Sequence, residues 1–218
     1  DYGDHNETMS AEARFLRALN YYYLLDEFGN VPFTTAISSS NPVRIKRADL
    51  YKWLIDELKT NVEPKLSEPQ PKTSATAGYG RVDKAAAWML LARLYMNAEV
   101  YTGTADWANA KLYAKKVIDS PYKLYTTKKG QWSAYQQLFM GDNGENGASV
   151  EAIFPILQDG KTTTSYGTTL YLMAGSNDNS EHIKDATTKG NNTTAGWGGN
   201  RMRHDLVLKF FPNDDAPN

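Results

Sequence analysis

The sequence predicts a fold dominated by α-helices, with a long loop-rich segment that carries a short strand or two. Four stretches within the first 140 residues repeat apolar residues at helical spacing, and turn or capping residues bound them. From about residue 141 to 200, Gly, Asn, Thr and Ser dominate and the periodicity is lost. We therefore expect one structural domain, in which 1–140 form a helical core and 141–218 pack on it.

The first predicted helix begins near Ala11 and ends at Gly29, before a turn at Pro32. Apolar residues recur at spacings of three, four and seven, so we expect one buried stripe of Phe15, Leu16, Leu19, Tyr22, Tyr23 and Phe28. A second helix is expected at 48–66, with a face of Leu50, Trp53, Leu54, Glu57 and Leu58.

A polar loop at 64–80 separates this pair from two further helices. Asp83 is the expected cap of a helix at 85–101 that ends at Gly103, and the next helix, 107–120, closes at Pro121. The alanines and the proline of this hairpin resemble a degenerate tetratricopeptide repeat of about 34 residues. Because two such units leave an apolar face open, we expect the chain to be a fragment of a larger protein.

Composition limits the function classes. The 218 residues carry 24 Lys and Arg against 25 Asp and Glu, so charge gives no reason to expect nucleic acid as a partner. There is no cysteine, the three histidines lack metal-site spacing, and no phosphate-binding glycine loop occurs. No apolar run approaches the roughly 18 residues of a membrane span. We predict no catalytic residue.

Aromatic residues are the positive signal, at 12% of the chain. Tyr166 and Trp197 lie in polar loops next to glycines, where flat apolar rings suit the C–H face of a pyranose ring. Trp197 could equally anchor its loop on the core. For the remaining aromatics that we singled out, core packing is the better interpretation: Trp53, Trp88, Trp107, Trp132, Tyr101, Tyr122 and Tyr125.

The segment 141–147 places oxygen-bearing side chains among glycines, as loops that bind hard cations do. Asp142, Asn143 and Glu145 could hold calcium, although the spacing of an EF-hand is missing and a plain acidic turn is favoured. A strand is expected at 151–157.

Several runs carry a resemblance to a known family. The motif Gly29-Asn-Val-Pro-Phe33 follows the first helix, and Gly80-Arg-Val-Asp-Lys-Ala-Ala-Ala-Trp-Met-Leu-Leu-Ala-Arg-Leu-Tyr-Met-Asn-Ala98 forms the third. Further runs cover 100–108, 115–124, 138–143 and 155–160. Together they resemble the SusD/RagB family of Bacteroidetes outer-membrane glycan-binding lipoproteins, close to its starch-binding founder, from about residue 11 to 211.

The resemblance implies a tetratricopeptide-like α superhelix and non-catalytic, cell-surface binding of starch-like glycans such as maltooligosaccharides. It implies delivery of the glycan to a SusC-like TonB-dependent outer-membrane transporter, with no cofactor and with membrane attachment only through a lipid anchor that this chain lacks. Carried over residue by residue, the family's starch-contacting tyrosine is Tyr166 and its platform tryptophan is Trp197.

Three alternatives stay open at this point. The chain could be a tetratricopeptide-type scaffold that binds a protein and no sugar, or a SusD-like binder of a different polysaccharide. A glycoside hydrolase with an unrecognised carboxylate pair ranks last, because a sequence does not give the separation between two carboxylates.

Overall fold

The computed structural model describes residues 6–157 and 203–213 of the chain. The chain divides into two compact units, Asp1–Ile156 and Leu157–Asn218. The first unit includes residues 141–156, which the sequence analysis assigned to the loop-rich part. Helices dominate the described residues, which confirms the predicted fold class.

Helix α1 spans Glu7–Phe28. The side chain of Asn6 caps its first turn by accepting a hydrogen bond from the backbone N of Met9, and the helix ends at Gly29, whose φ is 71°. Its buried stripe consists of Ala11, Phe15, Ala18, Tyr22 and Leu25. The predicted burial of Leu16, Tyr23 and Phe28 was wrong, since these side chains are exposed. Alanines occupy the buried stripe instead, because small side chains let a neighbouring helix approach closely.

Helix α2 spans Arg47–Asp56 and continues into a π-helical turn, Glu57–Val62, and a 3₁₀ turn, Glu63–Lys65. This continuous helical segment confirms the helix predicted at 48–66. Both α2 and the π-helical turn pack against α1. Their buried residues are Leu50, Tyr51, Leu54, Glu57, Leu58 and Val62.

The predicted third helix is divided into α3, Lys84–Met96, and α4, Ala98–Thr102. Asn97 lies between them with φ −100° and ψ 11°, which is not helical backbone. Asp83 caps α3 and Gly103 ends α4, as the sequence indicated. Most of α3 is buried. Its buried residues, mainly alanines and leucines, are Ala85, Ala86, Ala87, Leu90, Leu91, Ala92, Leu94 and Tyr95.

Helix α5, Trp107–Asp119, packs against α3 and completes the predicted helical hairpin. The side chain of Asp106 caps it. Burial on this helix centres on Tyr113. Trp107 is exposed, so its predicted place in the core was wrong, and Ile118 is exposed as well. The expected core positions of Trp53 and Trp88 are met in part, because both are half-buried against the core.

After α5 come a short helix α6, Ala134–Gln137, and a 3₁₀ turn, Ala148–Glu151. The strand predicted at 151–157 was wrong, because Glu151 closes the 3₁₀ turn and its carboxylate accepts a hydrogen bond from the backbone N of Tyr125 at 2.7 Å. Extended pairing within the described ranges is limited to isolated antiparallel bridges, Pro32 with Arg44 and Lys129 with Trp132.

In the second unit, the structure describes one helix, α7, which spans His204–Phe210. Across residues 6–157 and 203–213, none of the helices has the length and apolar character that a membrane crossing requires.

Candidate functional site

The two predicted glycan-binding residues, Tyr166 and Trp197, lie outside the described residues. Their roles stay predictions. Within the described part of the chain, three features bear on function: an exposed aromatic cluster, the turn that was considered for calcium, and a cavity in the helical core.

The exposed aromatic cluster consists of Trp132, Tyr135 and Phe139. Tyr135 is 70% exposed, and its ring meets that of Phe139 edge to face, with 5.1 Å between centroids. Ser133 and Gln136 form a capping box at the start of α6, which carries Tyr135, while Trp132 precedes this helix and Phe139 follows it. The predicted core position of Trp132 was therefore wrong, since its side chain is exposed beside this turn. Two aromatics four residues apart in a polar segment were the signal that the sequence analysis missed.

In the turn at 141–147, hydrogen bonds already engage part of the side-chain groups that calcium would need. Oδ1 of Asp142 accepts a hydrogen bond from the side chain of Asn146 at 3.1 Å, and the amide of Asn143 donates to the carbonyl of Leu138 at 2.8 Å. No group of three or more His, Cys, Asp or Glu side chains that could hold a metal occurs in 6–157 or 203–213. Calcium at Asp142, Asn143 and Glu145 stays a prediction, which calorimetric titration of the protein and its Asp142→Asn variant would test.

A cavity of about 380 Å³ opens beside α2, the π-helical turn, α3 and the start of α5. Two tyrosines on different helices line it, Tyr51 of α2 and Tyr95 of α3, and they are only 8% and 5% exposed. The other lining residues are Lys52, Ile55, Asp56, Lys59, Thr60 and Asp106. Ile55 is partly buried, whereas Lys52, Asp56, Lys59 and Thr60 are exposed.

Burial reinforces the protonated state of the cavity tyrosines. Loss of solvent, followed by the proximity of Tyr95 and Asp106, raises the pKa of Tyr51 to about 12. Burial, and then the charges of Asp106 and Glu63, also raises the pKa of Tyr95. Both hydroxyls are protonated at neutral pH and can each donate one hydrogen bond and accept others.

The carboxylate of Asp106 is already engaged at the start of α5. Its Oδ1 accepts a hydrogen bond from the backbone N of Asn109 at 3.2 Å, and its Oδ2 accepts from the side-chain amide of Asn109 at 2.8 Å. This arrangement orients the carboxylate at the edge of the cavity.

Comparison with known proteins finds similarity both in sequence and in structure. No family model matches the chain. It is 45% identical over 209 residues to the starch-binding protein SusD of Bacteroides thetaiotaomicron. This similarity covers 95% of the chain and 34% of SusD, so the chain spans about a third of the length of that relative.

The chain is similar to SusD over nearly its whole length. Among solved structures, a SusD-like carbohydrate binding protein from Bacteroides fragilis matches with a TM-score of 0.52 and 28% identity, over 67% of this chain and 27% of the other. A second SusD-like protein from the same species matches in fold, with a TM-score of 0.55 and 19% identity over 72% and 29% of the two chains. The SusD-like sequence and these structures confirm the predicted resemblance and helical fold.

Proposed function

We propose that this SusD-like chain is part of a non-catalytic, cell-surface binder of starch-like glycans, which captures maltooligosaccharides. The observation that carries the proposal is 45% identity to a starch-binding protein over 95% of the chain. The carbohydrate binding protein from Bacteroides fragilis, at 28% identity, supports a glycan as the ligand.

Stacking on flat aromatic side chains and hydrogen bonds to hydroxyl groups supply the proposed affinity, and neither requires a bond to be cleaved. Trp197 is the proposed platform and Tyr166 the proposed second contact. The exposed rings of Trp132, Tyr135 and Phe139 offer the same chemistry, because flat aromatic surface is accessible to a ligand there.

Isothermal titration of the protein in its longest natural form with maltoheptaose tests this function. We expect Trp197→Ala to weaken binding at least tenfold and Tyr166→Ala to weaken it less. Trp107→Ala is the matched control, because Trp107 is an exposed tryptophan on α5, away from the proposed platform in sequence. Unchanged affinity of Trp197→Ala would contradict the site assignment.

A different polysaccharide is the second candidate, since the structural relative at 28% identity is described as carbohydrate binding without mention of starch. The same titration with β-glucan and inulin fragments distinguishes the two glycan classes. Binding of none of these glycans would favour the protein-interaction scaffold, and release of reducing ends from a glucan would favour an enzyme.

We also propose delivery of the glycan to a SusC-like TonB-dependent transporter at the outer membrane, with the full-length protein lipid-anchored at the cell surface. Co-purification of the transporter with the tagged protein from membranes tests the partnership. Protease sensitivity of the protein on intact cells tests the location, and a protected protein would contradict it.

A further inference from the structure

The tyrosine hydroxyls of the helical-core cavity have no hydrogen-bond partner among the described residues. Tyr51 and Tyr95 are more than nine-tenths buried as residues, yet neither hydroxyl oxygen is among the fully enclosed side-chain atoms that lack a partner. Both residues line the cavity, and their hydroxyl oxygens are not fully enclosed by protein. Because polar groups in protein interiors are normally hydrogen-bonded, these two donors are available to water or to a ligand.

Other buried tyrosines of the same unit differ in this respect. The hydroxyl of Tyr101 donates to Asp26 at 2.6 Å, and that of Tyr122 donates to Asp83 at 2.8 Å. Tyr101 and Tyr122 thus have carboxylate partners, whereas Tyr51 and Tyr95, which both line the cavity, have none among the described residues.

The remaining lining residues define the ligand chemistry. Lys52 and Lys59 balance Asp56 and Asp106, so the cavity has no net charge that would select an ion. The aliphatic side chain of Ile55 supplies apolar surface. A ligand that fits is neutral, partly apolar and rich in hydroxyl groups, each able to donate and accept as the tyrosines do.

The size of the cavity restricts the ligand further. Its volume of about 380 Å³ lies at the lower end of the range for small-molecule sites. One or two sugar units fit this volume.

We infer that this cavity is a saccharide-binding site formed by residues other than Tyr166 and Trp197, in which Tyr51 and Tyr95 hydrogen-bond the hydroxyls of a mono- or disaccharide. The choice of ligand class rests on the proposed function. The cavity itself belongs entirely to the first compact unit.

Methyl NMR of the protein in its longest natural form, with ¹³C-labelled isoleucine and maltose as the probe, tests the inference. The Ile55 methyl group reports on the cavity, and the exposed Ile118 on α5 is the reference. We expect maltose to shift the Ile55 signal and to leave Ile118 unchanged. Tyr51→Phe and Tyr95→Phe remove only an oxygen, and each is expected to weaken the Ile55 titration about fivefold, since a hydrogen bond contributes on this order. Tyr122→Phe is the matched control, because Tyr122 is also a buried tyrosine and does not line the cavity, and it is expected to retain the Ile55 titration.

The outcomes separate this site from the proposed platform. If Trp197→Ala loses maltoheptaose binding while the Ile55 signal of the parent never moves with maltose, the cavity inference is overturned and the proposed function stands. If Ile55 shifts with maltose and Trp197→Ala retains full affinity for maltoheptaose, the cavity site stands and the platform fails. A shift caused by the zwitterion glycylglycine and by no saccharide would also overturn the inference.

Discussion

The hydroxyl of Tyr122 donates a hydrogen bond to Oδ2 of Asp83 at 2.8 Å and so joins the segment after α5 to the start of α3. Asp83 is 0% exposed. Its two oxygens also accept from the backbone N of Gln70 at 3.2 Å and of Ala85 at 2.9 Å, and Nζ of Lys72 lies 3.6 Å away. One buried carboxylate thus holds together a loop, a helix cap and the exit of the hairpin.

Replacing Asp83 with Ala should reduce the free energy of unfolding by about 3 kcal/mol, because buried donors lose their acceptor and α3 loses its cap. Urea denaturation measures the change. Tyr122→Phe removes one of these hydrogen bonds and should cost about 1 kcal/mol. Equal costs for the two variants would show that Asp83 does not link the three segments.

The folded protein should lose stability at acid pH, and part of this loss should come from Glu57. Burial alone would raise the pKa of this carboxyl, but hydrogen bonds from Asn61, Arg14 and Arg17 outweigh burial and hold its pKa below the ordinary 4.5. Its lowered pKa in the folded state means that Glu57 stabilises the fold above its unfolded-state pKa, and that this contribution is lost as the pH falls through the folded-state pKa.

The parent should therefore lose unfolding free energy more steeply than Glu57→Gln between about pH 5 and pH 3. At neutral pH the variant should be less stable by about 2 kcal/mol. Urea titrations across this pH range provide the measurement, with Glu99→Gln on the exposed surface of α4 as the control. Parallel pH profiles for parent and Glu57→Gln would rule out this role.

Two tryptophans of the hairpin should differ in their contribution to stability. Nε1 of Trp88 donates to Oε1 of Glu63 at 2.7 Å, and Nζ of Lys116 donates to the same oxygen at 2.7 Å. Trp107 is 59% exposed. Trp88→Phe should cost about 1 to 2 kcal/mol, and Trp107→Phe should stay within about 0.5 kcal/mol of the parent in urea denaturation. The reverse order would contradict the burial described for α3 and α5.

Substitutions at Gly103, which ends α4, test backbone strain without a change in packing. Gly103 has φ 81°, and a Cβ added there would meet no atom within 4 Å. Gly103→Ala should therefore cost about 1 kcal/mol through backbone strain alone. Gly103→Asn should cost less than half as much, because asparagine tolerates this conformation better. Thermal unfolding compares the two, and an alanine variant as stable as the parent would exclude strain at this position.

Helix positions were predictable from the sequence, because spacing, caps and glycines act locally. Asp83, Gly29 and Gly103 bound helices as expected. Burial on each helix was harder to predict. Leu16 and Phe28 are large apolar residues at helical spacing, and for that reason they were predicted to be buried. The structure instead buries alanines, whose small size matters only once the neighbouring helix is known.

The candidate sites differ in how far the sequence could reveal them. Trp197 and Tyr166 could be proposed because glycine-flanked aromatics in polar loops form a local pattern. The cavity could not, because Tyr51 and Tyr95 are distant in sequence and each resembles a core residue on its own helix. Their unsatisfied hydroxyls become evident only from the hydrogen bonds of the folded chain.

The π-helical turn at Glu57–Val62 affects how the chain would tolerate the loss of a residue at this position. Its hydrogen bonds span one residue more than those of an α-helix, and Lys59 and Thr60, which it carries, are exposed at the cavity. Deleting one of these two residues would restore α-helical spacing and leave the buried Leu54 and Leu58 in place. A single deletion at this turn would thus remodel the mouth of the cavity while the hydrophobic core behind it is kept.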